Sequence, residues 1–250
     1  MQSQSPLLKT YQETFLLRTT HCDFTGHWRP SDILAVMQEM AGTHAHLLGC
    51  GRKETLKENI VWVLSRTELV MDRYPVIGET LRVETFPAAN KRWFFPRYFV
   101  FYDEKDRVIG KAGTLWLLMD FVQRKMAISQ QVLGCMPDNS DLVPLLGMPG
   151  NIPPVAGEAL LSTHMPVYTD LDVNGHVNNT RYGDWLCNAL GIQAMRESEI
   201  AHLLIHYSRE ILPGSEMTLG LQREAEAFRL WGEAEGEKHF DMGGVLRARA

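Results

Sequence analysis

The polar run from Thr169 to Thr180 carries an acid, an amide and an imidazole at alternate positions: Asp172, Asn174 and His176. On an extended chain alternate side chains point the same way, so these three are expected to converge on one face. Such a trio can polarise a carbonyl, orient a water molecule and move a proton. Gly175 permits a tight turn or a close backbone approach. A helical pattern follows, and N–H groups at a helix start, here Val177 and Asn178, are ready donors to a developing oxyanion. Singly, each is an ordinary loop residue, because Asp and Asn favour turns and Asn178 or Asn179 suits a helix cap. Together with His176 they form the strongest candidate site in the chain.

The helix behind this loop is read from Tyr182, Trp185, Leu186, Ala189 and Leu190, which share one stripe, with Gly191 as its stop. A short apolar segment, Leu160–Val167, precedes the loop. Strands are expected after the helix at His202–Ile211, Glu216–Arg223, Ala227–Glu235 and His239–Arg247. The first part of the chain has the same order. A strand-like run from Tyr11 to Arg18 leads through a polar loop into a helix. That helix starts at Pro30, Ser31 and Asp32, stops at Gly49, and carries a stripe of Ile33, Val36, Met37, Met40, Ala41, His44, Leu47 and Leu48. Strand patterns follow at Ile60–Asp72, Glu79–Phe86, Trp93–Asp103, Val108–Asp120 and Phe121–Ile128. One helix followed by several antiparallel strands is an α+β pattern, a sheet curled around a helix.

Between the two parts, residues 131–157 hold Pro137, Pro144, Pro149, Pro153 and Pro154 with four glycines, a composition that excludes regular helix or central strand. The chain therefore divides into a unit over 1–130, a linker over 131–157 and a second unit over 158–250. Sliding the chain so that Asp23 falls on Asp172 also superposes Thr20 on Thr169, Gly26 on Gly175, His27 on His176 and Gly42 on Gly191. Ser65-Arg66 resembles Ser208-Arg209, and the stretch from Gly78 resembles that from Gly214. The two units read as tandem copies of one sheet-plus-helix design. Thr25 stands where the second copy has Asn174, so a single working site is expected, in the second unit.

Composition sets outer limits. The 250 residues are 45% hydrophobic and 22% charged, ordinary for a globular chain. A net charge of −5 provides no global field for nucleic acid. No apolar run approaches the roughly 20 residues of a membrane span. The first ten residues show neither a secretory signal nor a transit peptide, so a cytoplasmic location is expected. Cys22, Cys50, Cys135 and Cys187 lie far apart, without metal-ligand spacing, and are expected to be reduced thiols. His44 and His46, two apart on a helix, face different sides, which argues against a metal pair.

The run from Asp170 to Leu186 closely resembles the signature of the acyl–acyl carrier protein thioesterases of plastids and bacteria. The likeness extends to Phe24-Thr25-Gly26, Trp62-Val63-Leu64-Ser65-Arg66, Asp72-Arg73-Tyr74-Pro75 and the Tyr102-Asp103-Glu104 turn. The resemblance implies a double hotdog, two hotdog units each with a curved antiparallel sheet wrapping a long helix. It also implies hydrolysis of acyl thioesters on acyl carrier protein in fatty acid biosynthesis, with no metal or cofactor. Asp172, Asn174 and His176 match the family's catalytic trio. Tyr207-Ser208-Arg209-Glu210-Ile211 matches its Tyr-x-Arg-Glu-Cys strand segment, so Glu210 inherits a catalytic role, while Ile211 stands where plant members often carry a cysteine. Glu210 is the proposed base on water, with Asp172 as the alternative. The family's acyl tunnel lies in the first unit, beneath the helix with Met37 and Met40. For docking the acidic carrier, Lys91, Arg92, Arg97, Arg124 and Lys125 are candidates. A thioesterase for coenzyme A esters and a catalytically silent acyl- or carrier-binding module are the alternatives. A homodimer is compatible with the sequence.

Overall fold

The computed structural model describes residues 7–249; the first six residues, part of the stretch read for a leader, and Ala250 lie outside the described residues. The first half contributes strand β1 (Tyr11–Leu16), helix α1 (Pro30–Leu47), a one-turn helix α2 (Arg52–Thr55), and strands β2 (Ile60–Met71), β3 (Thr80–Pro87), β4 (Phe94–Tyr102), β5 (Val108–Asp120) and β6 (Lys125–Ala127). Helix α3 (Gln130–Cys135) follows. The second half has β7 (Leu160–His164), α4 (Tyr182–Leu190), α5 (Ile192–Glu197), β8 (Ser198–Tyr207), β9 (Met217–Glu224), β10 (Ala227–Ala234) and β11 (Glu237–Ala248).

All strands belong to one antiparallel sheet, ordered β1-β3-β4-β5-β2-β8-β11-β10-β9-β7, with β6 paired to β5. The order from the outer edge inward is the same in both halves once β1, β3, β4, β5 and β2 are matched with β7, β9, β10, β11 and β8. This is the double hotdog, and its topology repeats independently of the residue identities. The halves join where Arg66–Val70 of β2 pair with His202–His206 of β8. The concave side holds α1 and α4, and a single apolar core runs through both halves, from Phe99, Phe101, Leu69 and Met71 to Trp185, Leu203, Phe228 and Phe240.

Helix α1 begins with Pro30 at its first turn and Asp32 near the positive end of its dipole, and it ends at Leu48 before Gly49. Its buried face includes Ile33, Met37, Met40, Ala41 and His44 as the spacing predicts, but Leu47 is exposed. Gly42 lies inside α1, whereas its sequence match Gly191 breaks α4 at φ +88°. The second helix is consequently short and resumes as α5, which runs directly into β8. That moves the expected strand 202–211 back to Ser198–Tyr207, leaving Glu210 and Ile211 beyond its end.

Two further expectations need correction. Phe121–Ile128 is a strand only over β6, because Asp120 Oδ1 accepts the N–H groups of Val122 (2.9 Å) and Gln123 (2.8 Å) and closes a turn. The proline-rich stretch admits helix α3 before its first proline, capped by Ser129 Oγ accepting the Val132 N–H at 3.1 Å. Farther on, the stretch crosses the β2–β8 junction, where Gly150 O accepts from His206 Nε2 at 2.8 Å.

Arg97, expected on the surface as a carrier contact, is instead buried beneath α1. Its position on β4 alternates with Phe99 and Phe101, so it faces the helix. Its Nη1 donates to His44 Nδ1 (3.1 Å) and to Thr85 Oγ1 (3.3 Å). Since a guanidinium only donates, His44 Nδ1 is the acceptor and its Nε2–H donates to Leu8 O at 3.0 Å. Burial first, and the neighbouring guanidinium second, pull the His44 imidazole down from 6.5 to about 4. Its neutral form is thus built into the fold, while the unfolded chain protonates near 6.5. The resulting stabilisation is complete above pH 6.5 and is lost as pH falls toward 4, on the order of 2–3 kcal/mol. The melting temperature should fall across that window, and His44→Gln, whose amide oxygen can still accept from Arg97, should flatten the fall in a melting series from pH 7 to 4.5.

Candidate active site

The loop before α4 is a closed turn. Leu171 and Val177 bridge its ends, the Asp172 N–H donates to His176 O at 2.9 Å, and the Gly175 N–H donates to Asp172 O at 3.0 Å. Inside, Asp172 Oδ1 accepts the N–H groups of Asn174 (2.8 Å) and His176 (3.4 Å), and Oδ2 accepts Asn174 Nδ2 at 3.2 Å. Gly175 takes φ +79°, the left-handed value such a turn requires. Asp172, Asn174 and His176 therefore gather through an Asx-type turn and not through strand alternation, as the sequence suggested. Buried Asp170 anchors the base of the turn, accepting the Val167 N–H at 2.9 Å and Trp185 Nε1 at 3.3 Å. The sequence alone gives Asp170 no separate role, because its partner Trp185 lies 15 residues away and is brought to it only by the fold.

Glu210 reaches the same place from the loop after β8. The Ser208 and Arg209 N–H groups donate to His239 O (2.9 and 3.0 Å), and His239 Nδ1 meets Glu210 O at 3.0 Å. So held, Glu210 Oε2 lies 3.2 Å from His176 Nε2. The first half closes the constellation. Arg124 Nη2 donates to Glu210 Oε1 at 2.5 Å, and Arg52 Nη2, from α2, donates to Asn174 Oδ1 at 3.3 Å. Neither contact is visible in the sequence, where Arg52 carries no signal and Arg124 reads as a candidate carrier contact. His176 and Glu210 are each about one-third exposed (35% and 30%), so the cluster sits at a solvent-accessible mouth.

The backbone donors expected at Val177 and Asn178 are already engaged. Val177 N–H donates to Ile211 O (2.9 Å) and Asn178 N–H to Asp170 O (2.7 Å), and α4 begins only at Tyr182. Neither is available to an oxyanion in this geometry. Met37 lines a small crevice between α1 and the sheet, together with Leu34, Leu64, Thr67, Thr114 and Trp116, and this crevice reaches Asn179 and Tyr207 beside the cluster. Its volume is about 10 Å³, room for about one water molecule. Met40 is fully buried and does not line it. Lys91, Arg92, Arg124 and Lys125 are exposed. Among the described residues, no three His, Cys, Asp or Glu side chains gather as metal ligands.

The first half contains the same turn. Cys22 bridges Trp28, and the Asp23 N–H donates to His27 O at 2.8 Å. Asp23 Oδ1 accepts the N–H groups of Thr25 (2.8 Å) and His27 (3.3 Å), and Gly26 takes φ +80°. The Trp28 N–H donates to Pro75 O at 3.0 Å, as Val177 does to Ile211. Tyr74 thus occupies the place of Glu210 and points its hydroxyl to Ile200 O at 3.0 Å. This pairing overturns the sequence match of Ser65-Arg66 with Ser208-Arg209, because the true counterpart of Arg209 is Arg73. Its N–H donates to Ile109 O at 3.2 Å as that of Arg209 does to His239 O. With neither an amide nor a carboxylate at the decisive positions, the first copy keeps the turn without the cluster.

The arrangement of two fused hotdog units with a single Asx-turn site has known relatives. Residues 8–133 match the acyl-ACP thioesterase N-terminal domain and residues 157–241 the acyl-ACP thioesterase C-terminal domain. The chain belongs to the acyl-ACP thioesterase family. It is 30% identical over 189 residues to a chloroplastic palmitoyl-acyl carrier protein thioesterase of Gossypium hirsutum, covering 70% of this chain and 45% of that protein. It is 29% identical over 216 residues to a chloroplastic dodecanoyl-[acyl-carrier-protein] hydrolase of Cinnamomum camphora, covering 80% of this chain and 56% of that one. The chain spans about half the length of the curated relatives it matches. Its fold superposes on a crystal structure of an acyl-ACP thioesterase from Bacteroides thetaiotaomicron with TM-score 0.86 at 24% identity, covering 95% of this chain and 98% of the other. A 12:0-ACP thioesterase from Umbellularia californica gives 0.81 at 21%, covering 96% and 98%.

The equivalence of the two turns is itself testable. A Cβ at Gly175 meets nothing within 4 Å, and at Gly26 only Ile77 Cγ2 at 3.9 Å. Alanine at either should therefore cost about 1 kcal/mol, through left-handed backbone strain alone. Denaturant melts of Gly175→Ala and Gly26→Ala should give matching losses.

Proposed function

We propose that this protein hydrolyses the thioester of acyl chains carried on acyl carrier protein, releasing free fatty acids for lipid biosynthesis. The observation that carries the reading is the His176–Glu210 pair at 3.2 Å, flanked by Asn174 on a turn that leaves these side chains at the mouth. Membership of the acyl-ACP thioesterase family supports the substrate class.

Glu210 is assigned as general base. As the water oxygen bonds to the carbonyl carbon, Glu210 takes the proton; the carbon–sulfur bond then breaks, and the departing thiolate recovers that proton. His176 orients the carboxylate and the water, and Asn174 orients the thioester. One observation favours Glu210 over Asp172 as the base: Asp23 does the same turn-holding work as Asp172 in a copy that lacks the cluster. Asp172 is thus assigned to holding the turn. A thiol route has no support: Ile211 is buried, and burial pushes the Cys187 thiol up to about 12.

The acyl chain is assigned to the space beneath α1, at the crevice lined by Met37, which must widen to admit it, with Met40, buried on the same helix, a candidate for the widened lining. Lys91, Arg92 and Lys125 remain the candidate contacts for the acidic carrier, since Arg97 is buried and Arg124 is bound to Glu210. The free thiols suit a reducing compartment such as the cytoplasm. Among the described residues, no helix is long and apolar enough to cross a membrane.

Fatty-acid release from a chain-length series of acyl carrier protein thioesters tests this reading. The wild type should turn over some lengths, and Glu210→Gln should lose about 100-fold or more of kcat. Turnover confined to coenzyme A esters would reassign the carrier, and binding without turnover on either would leave an acyl-binding module. In the same assay Asp172→Asn, which keeps the Oδ1 acceptor, should retain at least about tenfold more activity than Asp172→Ala, which opens the turn. Equal loss in both would return the base role to Asp172.

A further inference from the structure

We propose that Arg124 is a positioning residue of the site, supplied by the first half of the chain to orient Glu210. The inference rests on the hydrolytic reading above and adds to it a residue from outside the signature loop.

Glu210 lies beyond the end of β8, on a loop whose backbone is anchored but whose side chain has three rotatable bonds. Ordering such a side chain costs rotamer entropy, and one contact to His176 leaves its carboxylate free to swing. Arg124 removes that freedom by binding the other oxygen: Oε1 meets Arg124 Nη2 at 2.5 Å while Oε2 meets His176 Nε2 at 3.2 Å. The guanidinium bond to Oε1, with His176 Nε2 3.2 Å from Oε2, restricts the plane of the carboxylate and aims a lone pair toward the position of the attacking water.

The turn that presents Arg124 is built for the purpose. Asp120 Oδ1 accepts two of its N–H groups, the Phe121 N–H donates to Asn59 O at 3.0 Å, and the pairing of Asp120 with Lys125 closes it. Arg124 itself adopts φ +53°, a left-handed conformation unusual for a side chain of this size. The Arg124 side chain is 64% exposed, and an ion pair so exposed contributes little to stability. Its consequence is geometric. In the first copy the position of Glu210 is held by Tyr74, whose hydroxyl is satisfied by backbone, so no carboxylate stands there to be oriented.

The alternative is that Arg124 docks the carrier, and the two roles separate on two substrates. Arg124→Gln and Arg124→Lys are assayed on an acyl carrier protein thioester and on the matching acyl-pantetheine, which has no protein surface. Positioning lowers kcat about 10- to 100-fold on both substrates, leaves KM within about twofold, and is partly rescued by Lys. A KM increase confined to the carrier-bound substrate, or no change on either, overturns the proposal. A second readout is independent of turnover. The His176 imidazole signals in a 15N–1H NMR spectrum should shift and broaden in Arg124→Gln, with the melting temperature held. An unchanged His176 spectrum overturns the proposal. Shifted signals in a protein inactive on every thioester would leave the positioning role standing and remove the hydrolytic reading.

Discussion

Where β2 runs antiparallel to β8, backbone hydrogen bonds between Arg66–Val70 and His202–His206 turn two sheets into one. Everything else in the molecule follows from that seam. It brings α1 and α4 together on one concave side and lets one apolar core run through both halves. Gly183 of α4 approaches so closely that a Cβ there would lie 3.0 Å from the Ser31 backbone nitrogen of α1. The seam also sets the turn after β5, which belongs to the first half, against the end of β8, which belongs to the second. The contact of Arg124 with Glu210 and that of Arg52 with Asn174 both cross between the halves. A site whose signature lies wholly in the second half is therefore completed by the first.

The two Asx turns act as an internal control on what each residue does. Their hydrogen bonds agree to within about 0.1 Å, including Asp23 and Asp172 N–H groups donating at 2.8 and 2.9 Å. The aspartate and the glycine, with the backbone alone of the histidine, are thus the parts of the motif that build a turn. Asn174 and Glu210, replaced by Thr25 and Tyr74 in the first copy, are the parts that go beyond it. Asp23 has found other work, with its Oδ2 accepting Arg249 Nη2 at 3.1 Å. A cavity of about 480 Å³ opens beside it, between Phe24 and the α4–α5 break. The first copy has become a structural support facing the second helix.

Much of the fold was legible because its signals are local. Apolar spacing located α1 and α4, and alternation located most strands to within a few residues. Shared Asp, Gly and His positions exposed the repeat. The misjudged segments are those where one side chain or one break outweighs the pattern. Asp120 capped a turn inside an apolar run, Gly191 cut a helix that its match Gly42 does not cut, and Ser129 started a helix ahead of the prolines. In each case a hydrogen bond or a single backbone angle decided what periodicity left open.

The sequence by itself determined the turn, the identity of its polar residues and the family to which they belong, because an Asx turn is closed by atoms within five residues of one another. Which atoms remained free was decided only by tertiary structure. The N–H groups of Val177 and Asn178 look like available donors in a sequence, yet Ile211 and Asp170 take them. Arg97 and Arg124 look alike as basic residues, but one is buried under α1 against His44 and the other holds Glu210. Charge and hydrogen-bonding capacity are written in the residue type. The partner that satisfies them depends on segments far apart in the chain, and only the folded sheet brings those together.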